Sequence, residues 1–158
     1  MVISRTTLPF FKQRTNYYCG PAVLQMILKA HGVRLTQDTI ALEAKTTREY
    51  GTKTEDMVRF LRGKGFVVVD GNGKTIADIE RALARGDIVI VCYMERHLDW
   101  GHYSSVAGIE HGRIDLLDPA EKDGSGLPFP LDEFESRWRD PAFTKTDHWT
   151  AFVSKALK

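Results

Sequence analysis

Residues 13–32 read Gln-Arg-Thr-Asn-Tyr-Tyr-Cys-Gly-Pro-Ala-Val-Leu-Gln-Met-Ile-Leu-Lys-Ala-His-Gly, a polar arm that turns into an apolar run at Cys19. Val23, Ile27 and Ala30 fall on one helical face, with Leu24 and Leu28 beside them, so the run predicts an amphipathic helix. Pro21 suits its first turn, where the missing N–H has no partner inside the helix anyway, and Gly32 is a natural stop. Cys19 is therefore expected at or next to the N-cap. A thiol there meets the positive end of the helix dipole and free backbone N–H groups, which favour the thiolate, the nucleophilic form of cysteine.

Outward from this helix the pattern stays helical, then changes period. A second short helix is expected from Thr36, with Asp38 in its first turn. A third follows Thr52-x-x-Glu55, which has capping-box form, with Met57, Val58 and Leu61 facing inward. Phe66 to Val69 predicts a strand. Thr75 starts a fourth helix with Ile76, Ile79 and Leu83 at core spacing, ended by Gly86. Ile88 to Tyr93 is then a β-branched run suited to a buried strand. His102 to Ile109 and Arg113 to Leu117 predict a hairpin around Glu110-His111-Gly112. Leu131, Phe134 and Trp138 suggest a helical turn or two, and Trp149 to Val153 a last strand. Helices first and mostly antiparallel strands second is an α+β pattern.

The bulk numbers bound what such a chain can do. At 158 residues one domain over 1–158 can bury a proper core without metal or disulfides. The 22 basic and 21 acidic residues give a net charge of +1, no footprint for nucleic acid or an anionic membrane. Two cysteines, Cys19 and Cys92, are too few for a disulfide framework and lack zinc-ligand spacing. The N-terminal MVISRTTLPFFKQR has no signal-peptide apolar core, and no apolar run approaches membrane-spanning length. A cytoplasmic protein with free thiols and no metal or organic cofactor is the expectation. The composition leaves the oligomeric state open.

A nucleophilic cysteine needs a base, usually histidine, and the histidine needs an orienting partner. Of the five histidines, His31 lies about a dozen residues along the cysteine helix, roughly 18 Å away along its axis, and is excluded. His111 sits in the expected hairpin turn and His97 in a polar connection, both read most simply as solvated. His148, before the last strand, is not dismissed by position alone. His102 opens a strand whose hairpin partner ends at Leu116-Leu117-Asp118-Pro119, so folding back brings Asp118 near His102. A carboxylate there would hold the imidazole in one tautomer. Cys92, inside an apolar strand run, reads as core packing. Phe10, Phe11, Tyr17 and Tyr18 cluster around Cys19, and Tyr17 is a candidate wall of a substrate groove. Trp100, beside His102, has the strongest claim to line that groove. The loop Glu121-Lys122-Asp123-Gly124-Ser125-Gly126 has no calcium-loop spacing and reads as mobile.

The segment Gln13-x5-Cys19-Gly20-Pro21-Ala22 resembles the active-site motif of the bacteriocin-processing, double-glycine cysteine peptidases, a papain-like family. Gly101-His102-Tyr103 running into Val106-x-Gly108, then Asp118-Pro119, is similar to that family's histidine and aspartate blocks, and Tyr50-Gly51-Thr52 with the helix after it also has its look. The resemblance covers nearly the whole chain in order. It implies a papain-like domain with N-terminal helices packed on a mostly antiparallel sheet. It also implies a Cys19 nucleophile, a His102 base, an Asp118 orienter and an oxyanion donor at Gln13. Many members are the N-terminal domain of an export transporter and cut a leader peptide after Gly-Gly. This chain shows neither membrane segments nor a P-loop, which implies a stand-alone relative or one half of a two-protein system with a separate transporter. Ser104-Ser105 replaces a more apolar pair, a change expected to touch strand packing more than chemistry.

The expected activity is hydrolysis of a peptide or protein substrate through Cys19, His102 and Asp118. The same thioester could instead be passed to an amine or thiol acceptor, which would make the chain an acyltransferase. A fold that keeps leader-peptide binding without turnover is the third reading; such a domain would be expected to lose the cysteine or histidine, and both are present.

Overall fold

The computed structural model describes residues 8–97 and 100–155; the first seven residues of the N-terminal stretch read above lie outside them. Three helices come first, α1 (Cys19–Ala30), α2 (Gln37–Glu43) and α3 (Thr54–Gly63), followed by strand β1 (Phe66–Gly71) and helix α4 (Ile76–Ala84). Strands β2 (Ile88–Met94), β3 (Gly101–Glu110), β4 (Arg113–Leu117) and β5 (Leu127–Pro130) lead to α5 (Leu131–Arg137). A two-stranded ribbon, β6 (Arg139–Asp140) and β7 (Thr146–Asp147), precedes the last strand, β8 (Thr150–Lys155).

The main sheet has six strands in the order β1-β8-β2-β3-β4-β5, every pairing antiparallel. Helices cover both faces. On one, α1 to α3 bury Val23, Leu24, Ile27, Met57 and Leu61 against Ile88, Ile90, Cys92 and Trp149. On the other, α4 and α5 pack Ile79, Leu83, Phe134 and Trp138 against Val89, Val91, Tyr93 and Phe129. Neighbours along β2 thus serve opposite cores, the two-residue alternation of a strand buried on both sides. The α+β expectation holds.

One local expectation needs correcting. The capping box is not at Thr52. Helix α3 begins at Thr54 after Lys53, with no side-chain cap, because the Thr52 hydroxyl bonds Thr46 Oγ1 at 2.7 Å instead. The box sits at α4, where Thr75 Oγ1 accepts from the Asp78 N–H and the Asp78 carboxylate accepts from the Thr75 N–H. The 121–126 loop is mostly exposed, with Gly124 set close to Phe10: a Cβ there would come within 2.9 Å of Phe10 Cβ. The β3–β4 hairpin forms as expected, with His111 and Gly112 both at positive φ (51° and 73°), the backbone of a type I′ turn.

Candidate active site

Cys19 is the first residue of α1, behind Tyr18 at the N-cap. The helix starts hard against the 46–52 loop: a Cβ on Gly20 would lie 2.6 Å from Thr52 Oγ1, so only glycine admits this approach. Thr52 in turn accepts a hydrogen bond through its carbonyl from Tyr103 Oη at 2.7 Å, tying that loop to β3. The thiol is therefore fixed relative to the sheet by one small residue and one threonine.

His102 and Asp118 are both buried. The β3–β4 register pairs Ser105 with Leu117, which returns Asp118 alongside the start of β3, and His102 Nε2 bonds Asp118 Oδ1 at 2.6 Å. Asp118 also accepts from the Ala120 N–H (2.8 Å) and from Tyr93 Oη (3.1 Å). These donors and the imidazole outweigh its burial and hold the carboxyl below the usual carboxylate range. The His102 ring also bonds the Cys19 thiol. Burial alone would pull the imidazole pKa down, but the negative charge of a Cys19 thiolate and the bond to Asp118 overcome it, and His102 is raised to about 10. Such a ring is a charged imidazolium at neutral pH, paired with sulfur on one side and carboxylate on the other.

Gln13 enters from the N-terminal arm, which is pinned by its own N–H to the Pro119 carbonyl at 2.9 Å. The amide orientation is set by Nε2 donating to the Thr15 carbonyl at 2.8 Å, since Oε1 there would oppose another oxygen. The second N–H of that nitrogen remains for a ligand. Gln13, His102 and Trp100 line a small recess. Beside Cys19, and sharing Asn16 and Trp100 with that recess, opens a cavity of ≈ 480 Å³, walled by Tyr17, Tyr50, Trp100 and Phe143 and floored by Cys92 and Asp140. Tyr17 and Trp100 thus stand where the sequence reading places them, beside the thiol.

Of the other histidines, His97 lines the recess with Gln13 and His102, and the remaining three lie elsewhere. His31 bonds the Ile27 carbonyl, His111 occupies the hairpin turn, and His148 stacks on Trp138 at 4.5 Å and bonds Asp147. Cys92 belongs to the core, as expected, and burial pushes its thiol up to about 12. That value leaves almost no thiolate at neutral pH.

Two residues near the triad were missed, Tyr93 and Ser104. Tyr93 Oη sits 2.8 Å from Ser104 Oγ and donates to Asp118, and its ring meets His102 edge-on at 5.7 Å. Ser104 thus reaches the Asp118 carboxylate through one tyrosine, a polar link beside the strand packing expected of it. Period-two spacing from His102 to Ser104 was the available signal, since it puts both on one face of β3. Among the described residues no group of His, Cys, Asp and Glu could hold a metal ion, and no helix is long and apolar enough to cross a membrane.

Comparison with known proteins gives the family and the fold. The model of the Peptidase_C39 like family matches residues 5–146. An uncharacterised protein of Methanothermobacter marburgensis is 33% identical over 109 residues, spanning 69% of this chain and 70% of that one. Among solved structures, a C39-like protein of Bacillus anthracis superposes over 100% of both chains at 16% identity with a TM-score of 0.77. A double glycine motif protease from an AMS/PCAT transporter, solved in complex with its leader peptide, covers 97% of this chain and 95% of its own at 15% identity with a TM-score of 0.71.

Proposed function

This chain belongs to the Peptidase_C39 like family and has a cysteine-peptidase fold, and from that premise we propose that it is a single-domain cysteine peptidase acting through Cys19, His102 and Asp118. The observation that carries the reading is the pairing of His102, with Asp118 at 2.6 Å on one side and the helix-terminal Cys19 on the other. The Cys19 thiolate attacks a peptide carbonyl. The free N–H of Gln13 and the Cys19 backbone N–H take the oxyanion. His102 gives its proton to the leaving amine, the thioester forms, and the neutral ring then draws a proton from water to release the acid. Asp118 holds the ring in place throughout and stabilises its charge.

The substrate class is a peptide or protein segment. The solved relative bound to a leader peptide belongs to a transporter, so a leader peptide destined for a separate export transporter is the first substrate to test, with Gly-Gly and with other residues ahead of the scissile bond. Purified protein is incubated with such peptides and the products are weighed by mass spectrometry. Cleavage is expected, abolished in Cys19→Ala, and lowered in kcat about 10²–10³-fold in Gln13→Ala, the usual cost of one oxyanion donor. No turnover of any peptide, together with a Cys19 that resists iodoacetamide near neutral pH, would sink the proposal.

A further inference from the structure

The cavity beside Cys19 carries information about the substrate that the triad does not. On the peptidase reading it takes the acyl side of the scissile bond. The leaving amine must face His102, which protonates it; the recess containing His102 and Gln13 is therefore the leaving-group side. The larger cavity includes Cys19 but neither of those residues. At ≈ 480 Å³ it falls in the range of about 300–1,000 Å³ that encloses a drug-sized ligand. A glycine on this side would leave it empty.

Its chemistry is equally specific. Three of the walls are aromatic rings at the rim, Tyr50 and Phe143 meeting edge-on at 6.3 Å from opposite sides, with Trp100 at the lip. The floor holds the Asp140 carboxylate. Gly101 admits it, since a Cβ there would run into the Asp140 carboxylate. Asp140 Oδ2 accepts from Thr144 N–H (2.9 Å) and Thr144 Oγ1 (2.8 Å), while Oδ1 takes only a long bond from Phe143 N–H at 3.3 Å. No cation pairs with Asp140 among the described residues. Of the other charged lining residues, Arg48 lies over the Tyr17 ring at 6.0 Å and Glu49 offsets it, so the lining is left with one negative charge in excess. A buried anion without a counter-charge, beneath aromatic faces, is what an extended cationic side chain satisfies: the stem lies along the rings and the head meets the carboxylate.

We propose that this cavity is an acyl-side specificity pocket for a lysine or arginine side chain of the substrate, with Asp140 as the residue that selects it. The inference rests on the peptidase reading for the direction of the bound chain. Peptides identical except for Lys, norleucine or Gly at the position entering the cavity are bound to the Cys19→Ala protein and followed by calorimetry, a readout that needs no turnover. The Lys peptide is expected to bind about tenfold more tightly than the norleucine peptide, the scale of one hydrogen bond to a charged group, and the Gly peptide most weakly. Asp140→Asn should bring the Lys-to-norleucine ratio toward one. Since Asp140 also braces the 140–144 turn, Phe143→Ala at the exposed rim provides a second arm, weakening Lys and norleucine peptides together. Equal affinities for the three peptides, or tightest binding of Gly, overturns the pocket assignment. Cys19-dependent cleavage with a glycine preference would overturn it too while leaving the peptidase reading intact. Lysine-selective binding without any Cys19-dependent cleavage would sink that reading and leave the pocket standing.

Discussion

The thiol of Cys19 and the hydroxyl of Tyr93 act on His102 from opposite ends of a hydrogen-bonded line. Tyr93 contributes one bond to the Asp118 carboxylate, and a bond to a charged group is worth about 1.5 kcal/mol or more. Tyr93→Phe keeps the ring in its core but takes a partner from both Ser104 and Asp118, so kcat is expected to fall roughly tenfold with little change in KM, and the melting temperature by about a few degrees. An unaltered kcat would show that Ala120 N–H and His102 suffice to hold the carboxylate. The pH dependence follows from His102. Its folded pKa, about 10, lies above the ordinary 6.5, so the stabilisation from its protonated form is complete below about 6.5 and is lost as pH rises through about 10. Activity should fall on the same alkaline limb, as the leaving amine loses its proton donor. In Cys19→Ala the facing negative charge is gone, and an NMR titration of His102 should show a lower pKa than in the wild type. Much of this site was legible from chemistry-bearing letters: a cysteine before a helix, and a histidine and aspartate at the base of one hairpin. Asp140 was not, because nothing local marks a carboxylate whose role depends on a glycine 39 positions earlier in the chain.

Elements differ in how openly their sequence announces them. Helices α1 and α4 show three-to-four-residue apolar spacing, strands β1 and β2 show β-branched runs, and β3 and β4 flank a glycine-containing turn; all form where the sequence places them. Strand β5 escaped notice because it reads Leu-Pro-Phe-Pro, and proline is normally evidence against a strand. It survives as the outer strand of the sheet, where Pro128 and Pro130 can lack an N–H on the unpaired side. The ribbon strands β6 and β7 have two residues each, too short for any periodic signal. Thr52 and Thr75 have similar capping-box spelling; tertiary contacts took the first threonine for Thr46 and left the second to cap. Thr75→Ala should therefore cost about 1 kcal/mol of stability, read as a lowered urea midpoint at unchanged slope. Thr52→Ala, by contrast, should disturb the cleft through Gly20 and Thr46 without acting as a lost helix cap.

At the scale of the whole molecule, the six-stranded sheet separates two hydrophobic cores that share no buried side chain. Phe134 lies fully buried in the second, stacked on Trp138 at 5.1 Å. Phe134→Ala should destabilise the protein by about 3–5 kcal/mol, measured by denaturant unfolding, although the residue is in the core opposite α1. The placement of the triad across this division has a further effect. Cys19 belongs to the first core, while His102 leans on Tyr93 of the second. On the peptidase reading, the attacking atom and its proton partner are thus held by different layers, α1 and the sheet, which meet where α1 packs on β3. A slight parting of the layers, with each still folded, separates sulfur from imidazole. If the chain is the peptidase proposed above, one whose α1 layer has loosened from the sheet would hold an unpaired thiol and cut nothing.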